Sequence, residues 1–165
     1  MDNKDLTNKY IDDFTIVAKE YCYIVNNAMQ YSYSQLVSYM VTMLPMLYLK
    51  ASMLPDYDDY DREAVSKFVS EEEWTRVRLQ VKKNFGEHDD YFEIQGRFGQ
   101  SEQTSISENL ADIYQDMKDF TELVSYELEE SIIEAVGEVK KNFIDYWGQR
   151  AVNALKIIHL LYVGK

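Results

Sequence analysis

The sequence predicts an all-α fold, a single-domain antiparallel bundle of about five to seven helices. Three observations predict it. Apolar residues recur at three- and four-residue steps along most of the chain, the period of one buried helix face. Glycine and proline are scarce, 6 and 2 in 165 residues, so few positions interrupt a helix. Two Ser-x-x-Glu pairs, Ser70 with Glu73 and Ser105 with Glu108, stand directly before apolar-periodic runs, where they can satisfy the free N–H groups of a helix start. A chain of this length buries roughly two-thirds of its unfolded surface in one core, so residues 1–165 need only one domain.

The first helix is expected over residues 4–29, where Leu6, Tyr10, Phe14, Val17, Tyr21, Ile24 and Ala28 make one stripe. NNAMQYSYS then supplies a turn, with Ser32 or Ser34 capping a second helix antiparallel to the first. That helix contains LVSYMVTMLPMLYL, residues 36–49, which has no charge. Asn26, Asn27, Gln30, Ser32, Ser34 and Gln35 interrupt the charge-free interval before it. The remaining apolar run falls short of the ~20 residues that cross a bilayer. Leu36, Met40, Met43, Leu47, Ala51 and Leu54 form one stripe, and Val37, Val41, Leu44 and Tyr48 a second, which implies a helix enclosed by neighbours. Pro45 leaves the Val41 carbonyl without its donor, at ~3 kcal/mol, and predicts a kink or break around Met43 and Leu44.

PDYDDYD, from Pro55, is an acidic and aromatic connector, and REAVSKFV after it fits a short helix. Ser70 starts a third long helix through Trp74, Val77, Val81 and Phe85, with Gly86 placed to end it. From Glu87 to Thr104 the period fails, Gly96 and Gly99 punctuate, and only YFEI suggests a brief extended segment. Ser105 starts a fourth helix along Ile106, Leu110, Ile113, Met117, Phe120 and Val124, with an acidic opposite side. Leu128, Ile132, Ala135, Val139, Phe143 and Tyr146 mark a fifth. Gly148 predicts a break before a last helix from about Gln149 to Tyr162.

The formal charge of -12, from 29 Asp and Glu against 17 Lys and Arg, repels phosphate backbones, and the cations are scattered, so no nucleic acid is expected. Cys22 is the single cysteine and the opening Met-Asp-Asn-Lys-Asp has no secretory pattern, which suits a reducing cytoplasm. No membrane span and no cofactor are expected. No P-loop, dinucleotide fingerprint or Gly-x-Ser-x-Gly occurs.

Four segments carry a resemblance: MLPMLYLKASMLP at 43–55, GEHDDYFEI at 86–94, SENLADIYQDMKDF at 107–120 and YWGQRAVNALKIIHLL at 146–161. Together they resemble a bacterial family without an assigned biochemical role, the domain of unknown function 5063 family. The resemblance implies a compact, all-helical, cytoplasmic bacterial protein and carries no catalytic residue over. Phe92 stands where that pattern usually has tryptophan, and Tyr146 where a histidine precedes Trp-Gly.

Candidate sites follow from residue type and spacing. PDYDDYD fails as a calcium loop, since the fifth, sixth and twelfth places from Asp56 hold Tyr60, Asp61 and Lys67. Its aromatics Tyr57 and Tyr60 could instead anchor a basic partner. Tyr91, Phe92, Trp147 and Arg150 could form an aromatic and cationic recognition patch. Glu108, Asp112, Asp116 and Asp119 share one helix face and, if completed by Glu127, Glu130 or Glu134, could hold magnesium; solvated, they need no functional explanation. His88, among Glu87, Asp89 and Asp90, reads as loop before it reads as ligand, and His159 as a hydrogen-bonded core histidine before a catalyst. The leading functional expectation is a non-enzymatic module that binds a protein partner. The alternative is a magnesium-dependent hydrolase or phosphate-handling enzyme.

Overall fold

The computed structural model describes residues 3–94 and 96–164, with side chains from Thr7 onward. Leu6, the first residue of the expected opening stripe, lies outside the described side chains. The described helices are α1 Asn3–Asn26, α2 Tyr33–Ser52, α3 Glu71–Phe85, α4 Ile106–Val124, α5 Glu129–Asn142 and α6 Gly148–Tyr162. Between α3 and α4 stands a two-stranded antiparallel hairpin, β1 Asp90–Ile94 and β2 Ser101–Ser105. The fold is helical, as expected, with this small sheet added.

Helix starts follow the local chemistry of the sequence. Ser32 Oγ accepts from Gln35 N while Gln35 Oε1 accepts from Ser32 N, a complete capping box for α2. Ser70 and Ser105 accept from the N–H groups of Glu73 and Glu108, but the two glutamates do not close the box: Glu73 accepts from Tyr114 and Glu108 faces Arg78. Gly86 closes α3 at φ +58°, a left-handed turn that glycine takes without strain.

The helices pack antiparallel around α4, which touches α1, α3, α5 and α6. On α1, Tyr21 donates to the Leu110 carbonyl at 2.7 Å and the Phe14 ring meets Phe120 edge-on at 5.0 Å. On α3, Trp74 reaches Asp112 and Glu73 reaches Tyr114. Along α5 and α6, Asn142, Tyr146 and Arg150 meet Asp116, Asp112 and Asn109 in turn. α2 lies outside this cross, against α1 and α6. The α4 stripe Ile106, Leu110, Ile113, Met117 and Phe120 is wholly buried. Gln115 is the exposed residue of α4, so a helix covered on nearly every side must cover most of its polar residues too.

Five expectations need correction. α2 runs through Pro45 as one helix; Pro45 is exposed, so the missing hydrogen bond falls on the solvent side, and of kink or break the break is not taken. The second α2 stripe is not enclosed, because Tyr48 is exposed and only Val37 and Leu44 are fully covered. REAVSKFV makes only a single 3-10 turn, Arg62–Ala64, before an extended run. The extended segment expected at YFEI is present as β1, but the stretch after it, where no regular element is expected, forms a second strand, in register from Asp90 opposite Ser105 to Ile94 opposite Ser101.

Gly148, lastly, breaks nothing. The chain stays helical through a π turn, Phe143–Trp147, that joins α5 to α6. A Cβ on Gly148 would lie 2.4 Å from the Phe143 carbonyl oxygen, so glycine is there for close approach and not for a turn. The wider turn carries Trp147 into the core, where its indole donates to the Val139 carbonyl at 3.0 Å and stacks on Phe14.

Candidate functional site

Two polar clusters and one groove hold some of the residues singled out by sequence. The first cluster centres on Asp112 of α4. Its Oδ1 accepts from Trp74 Nε1 at 3.0 Å, its Oδ2 accepts from the Tyr146 hydroxyl at 2.8 Å, and Arg150 Nε lies 3.6 Å away. Arg150 also donates to Asn109 Oδ1 at 3.1 Å and lies over the Tyr146 ring. Asn109 Nδ2 donates to the Tyr91 hydroxyl, which donates to Glu93 Oε2 at 3.2 Å, and Asn153 holds the same carboxylate at 2.6 Å. Burial and the Asp112 bond hold the Tyr146 hydroxyl above its usual range. Donors and acceptors here answer one another, which ties β1, α3, α4 and α6 together.

Of the expected recognition patch, Tyr91 and Arg150 thus meet, both through Asn109. Phe92 points away and is 68% exposed. Trp147 cannot join a surface, because it is fully buried among Phe14, Phe143 and the α5 backbone.

The second cluster lies between α4, α5 and the connector after Tyr57. Glu138 accepts from Lys67 at 2.9 Å, Arg62 at 3.1 Å and Tyr60 at 3.3 Å. Burial alone would raise its carboxyl, but Lys67 and Arg62 outweigh that and hold it below the usual range. Asp119 accepts the Phe68 and Val69 N–H groups at 2.7 and 3.1 Å. Asp116 accepts only from Asn142 among the described side chains, and burial raises it to about 7. These acids line a cavity of about 10 Å³, room for one water molecule. The expectation of a solvated acidic face on α4 is therefore corrected: Asp116 and Asp119 are covered by α5 and the connector.

The metal candidates each stand apart. Glu108 faces Arg78 at 3.9 Å, Asp112 and Asp116 hold the donors described above, and Glu130 is exposed on the first turn of α5. Among the described residues no group of three or more His, Cys, Asp and Glu side chains converges. In EHDD, Asp89 turns inward to accept Ser107 N and Oγ at 2.7 Å each, while His88 is exposed against the Tyr33 ring. His159 is exposed and not a core histidine, since Ile158 takes the inward position of that turn. Cys22 is buried, which pushes its thiol up to about 12 and leaves it inert.

The groove is where Tyr57 stands. Its volume is about 660 Å³; Ile11, Pro55, Ile132 and Ile133 make an apolar floor, Tyr57 a wall, and Glu127 and Glu129 a rim. Asp56, Asp58 and Glu130, neighbours in sequence, are exposed, and none of these five carboxylates is in an ion pair among the described residues. Tyr60 is not a second anchor. It packs against Gly137, where a Cβ would lie 2.3 Å from its ring, and so pins the connector to α5. Ile133 falls one residue off the apolar stripe of α5, so helical periodicity alone does not single it out. A larger depression of about 730 Å³ over α3, beside Met29 and Leu79, has Glu71 and Glu72 balanced by Arg76 and Lys83, and so no charge preference.

No described helix is long and apolar enough to cross a membrane. No curated protein matches the chain. The crystal structure of protein BF1032 from Bacteroides fragilis is similar, with 35% identity, a TM-score of 0.84, and 93% of this chain and 92% of that one covered. The family described as domain of unknown function (DUF5063) matches residues 5–164, which span the capped helices, the hairpin and the groove alike. The chain belongs to the domain of unknown function 5063 family.

Proposed function

We propose that the protein is a non-enzymatic interaction module, and that the Tyr57 groove receives a segment of a partner protein that carries apolar side chains flanked by Lys or Arg. One observation carries this reading: an open, mostly apolar groove lined by Glu127 and Glu129, neither of which is in an ion pair among the described residues. The floor offers burial at roughly 25 cal/mol per Å². The acids select the sign of the partner and speed its approach. The magnesium-dependent alternative has no comparable support, since Asp112 and Asp116 face donors of their own chain.

A displayed library of random twelve-residue peptides tests the reading. Enriched sequences are expected to place Lys or Arg beside Leu, Ile or Phe, and to shift NMR signals of Ile11, Tyr57 and Ile132. Reversing the rim with Glu127→Lys and Glu129→Lys should weaken them at least tenfold. Peptides without cationic bias, or binding unmoved by the reversal, would overturn it.

A further inference from the structure

The 29 carboxylates are unevenly placed: none occurs in residues 21–55 or 146–165. These intervals contain α2 and α6, which pack side by side, so the fold gathers two acid-free helices into one face. The face is apolar. Met46, Tyr48 and Leu49 on α2, Val152 on α6 and Ile144 before it are each more than two-fifths exposed. Two adjoining hollows of about 320 and 280 Å³ run along it and share Tyr48 and Val152. Lys50 and Arg150 are occupied by Asp13 and Asp112, which leaves Lys156 and His159 as the exposed basic residues of α2 and α6.

We infer that this face is the contact between two copies of the chain. Two copies each carrying -12 repel wherever carboxylates meet, and the α2–α6 face is where they approach with least repulsion, since Asp145 at its edge is paired with Lys141. Its extent suits a weak dimer. A 20-residue helix is about 30 Å long, and two helices 8–10 Å apart make a strip about 20 Å wide. That is on the order of 600 Å² per copy, and twice this reaches the lower edge of a specific interface. A two-fold contact seats the ridge of Met46 and Leu49 from one copy in the hollow beside Val152 of the other. The face shares no residue with the Tyr57 groove, so either can fail without the other.

Sedimentation velocity of the full chain from 1 to 300 µM, at 0.05 and 0.5 M NaCl, tests the inference. A concentration-dependent rise from 19.5 kDa to twice that mass is expected, stronger at high salt because screening relieves the repulsion. Leu49→Glu and Val152→Glu should each leave the chain monomeric at 300 µM with unchanged helical circular dichroism. Both positions are exposed, so folding tolerates the charge. A wild-type chain that stays monomeric in 0.5 M salt, or a dimer that survives both substitutions, would overturn the inference. So would a monomer that co-sediments with phosphatidylcholine–phosphatidylglycerol vesicles and loses that binding in Leu49→Glu, which would assign the face to lipid.

Discussion

Asn142 Nδ2 lies 2.7 Å from Asp116 Oδ1, and among the described side chains it is the one donor to that buried carboxyl. One neutral donor does not replace the water that burial removes. Lys67 is near but is committed to Glu138, and Asp119 and Glu138 line the same cavity as like charges. The proton is therefore held more tightly in the folded chain than in the unfolded one, up to about 7 against 3.8.

The sign of the consequence follows from linkage. As pH rises from about 4 to about 7 the unfolded chain releases this proton while the folded chain keeps it, so the contribution to stability falls through that window and is flat above it. Asp116→Asn keeps the acceptor for Asn142 and abolishes the titration. The variant should match wild type near pH 4 and exceed it by a few kcal/mol at most at pH 8, at up to 1.36 kcal/mol per pH unit between. Urea denaturation midpoints at pH 4, 6 and 8 check this, and parallel curves for the two proteins would refute it.

Gly148→Ala forces a methyl group to 2.4 Å from the Phe143 carbonyl oxygen and 2.9 Å from its ring, at the π turn that buries Trp147. Backbone must move there, so a loss of about 2–4 kcal/mol is expected. Gly137→Ala meets the Tyr60 ring at 2.3 Å and the Tyr57 carbonyl at 2.7 Å, both on the connector. It should lose less stability because the connector can lift from α5, and the lift should distort the Tyr57 groove. Thermal unfolding, paired with binding of a library-selected peptide, separates the two effects.

Glu127, at the α4–α5 corner, has φ +57°, a left-handed conformation in which a Cβ is strained by roughly 1–2 kcal/mol. Glu127→Gly should relieve that strain, partly offset by the freedom of glycine in the unfolded chain, for a net gain of about 0.5–1 kcal/mol. The melting temperature should rise by about 1–4 °C. Glu127→Ala retains the Cβ and should gain nothing, so equal rises in both variants would count against the strain.

Much of the fold was legible because it is local. Ser32, Ser70 and Ser105 cap helices through bonds to residues three positions ahead, and the α4 stripe requires only a period. What escaped depends on distant partners. A π turn differs from an α turn by one residue, and here the close pair Gly148 and Phe143 decides it. The same period that grouped Asp112, Asp116 and Asp119 could not say that α3, α5 and the connector would cover them. Tyr57 and Tyr60 share one acidic context, DYDDY, yet Gly137 takes Tyr60 into packing and leaves Tyr57 on the groove. Residue type and the segments that resemble the family placed Trp147 on a surface, whereas its bulk fills the centre of the bundle.

Tyr146→Phe removes the hydroxyl that donates to Asp112 at 2.8 Å and accepts from Arg150 at 3.2 Å. Asp112 keeps Trp74 as a donor and Arg150 beside it, so the carboxylate is not stranded. Tyr146 is itself partly exposed, and water can replace some of what is lost. A loss of about 1 kcal/mol is expected, well below that for an unpartnered buried charge. Asp112→Asn should cost about as much or more, because it weakens three contacts together. If the cluster acts as one tie, the double variant should lose less than the sum of the two single losses. Hydrogen exchange supplies the second readout: amides of β1 around Tyr91, joined to Arg150 through Asn109, should exchange faster in Tyr146→Phe than in wild type. Additive losses with unchanged β1 protection would mean that the hairpin is held by its own pairing and by Asp89, independently of the Asp112 cluster.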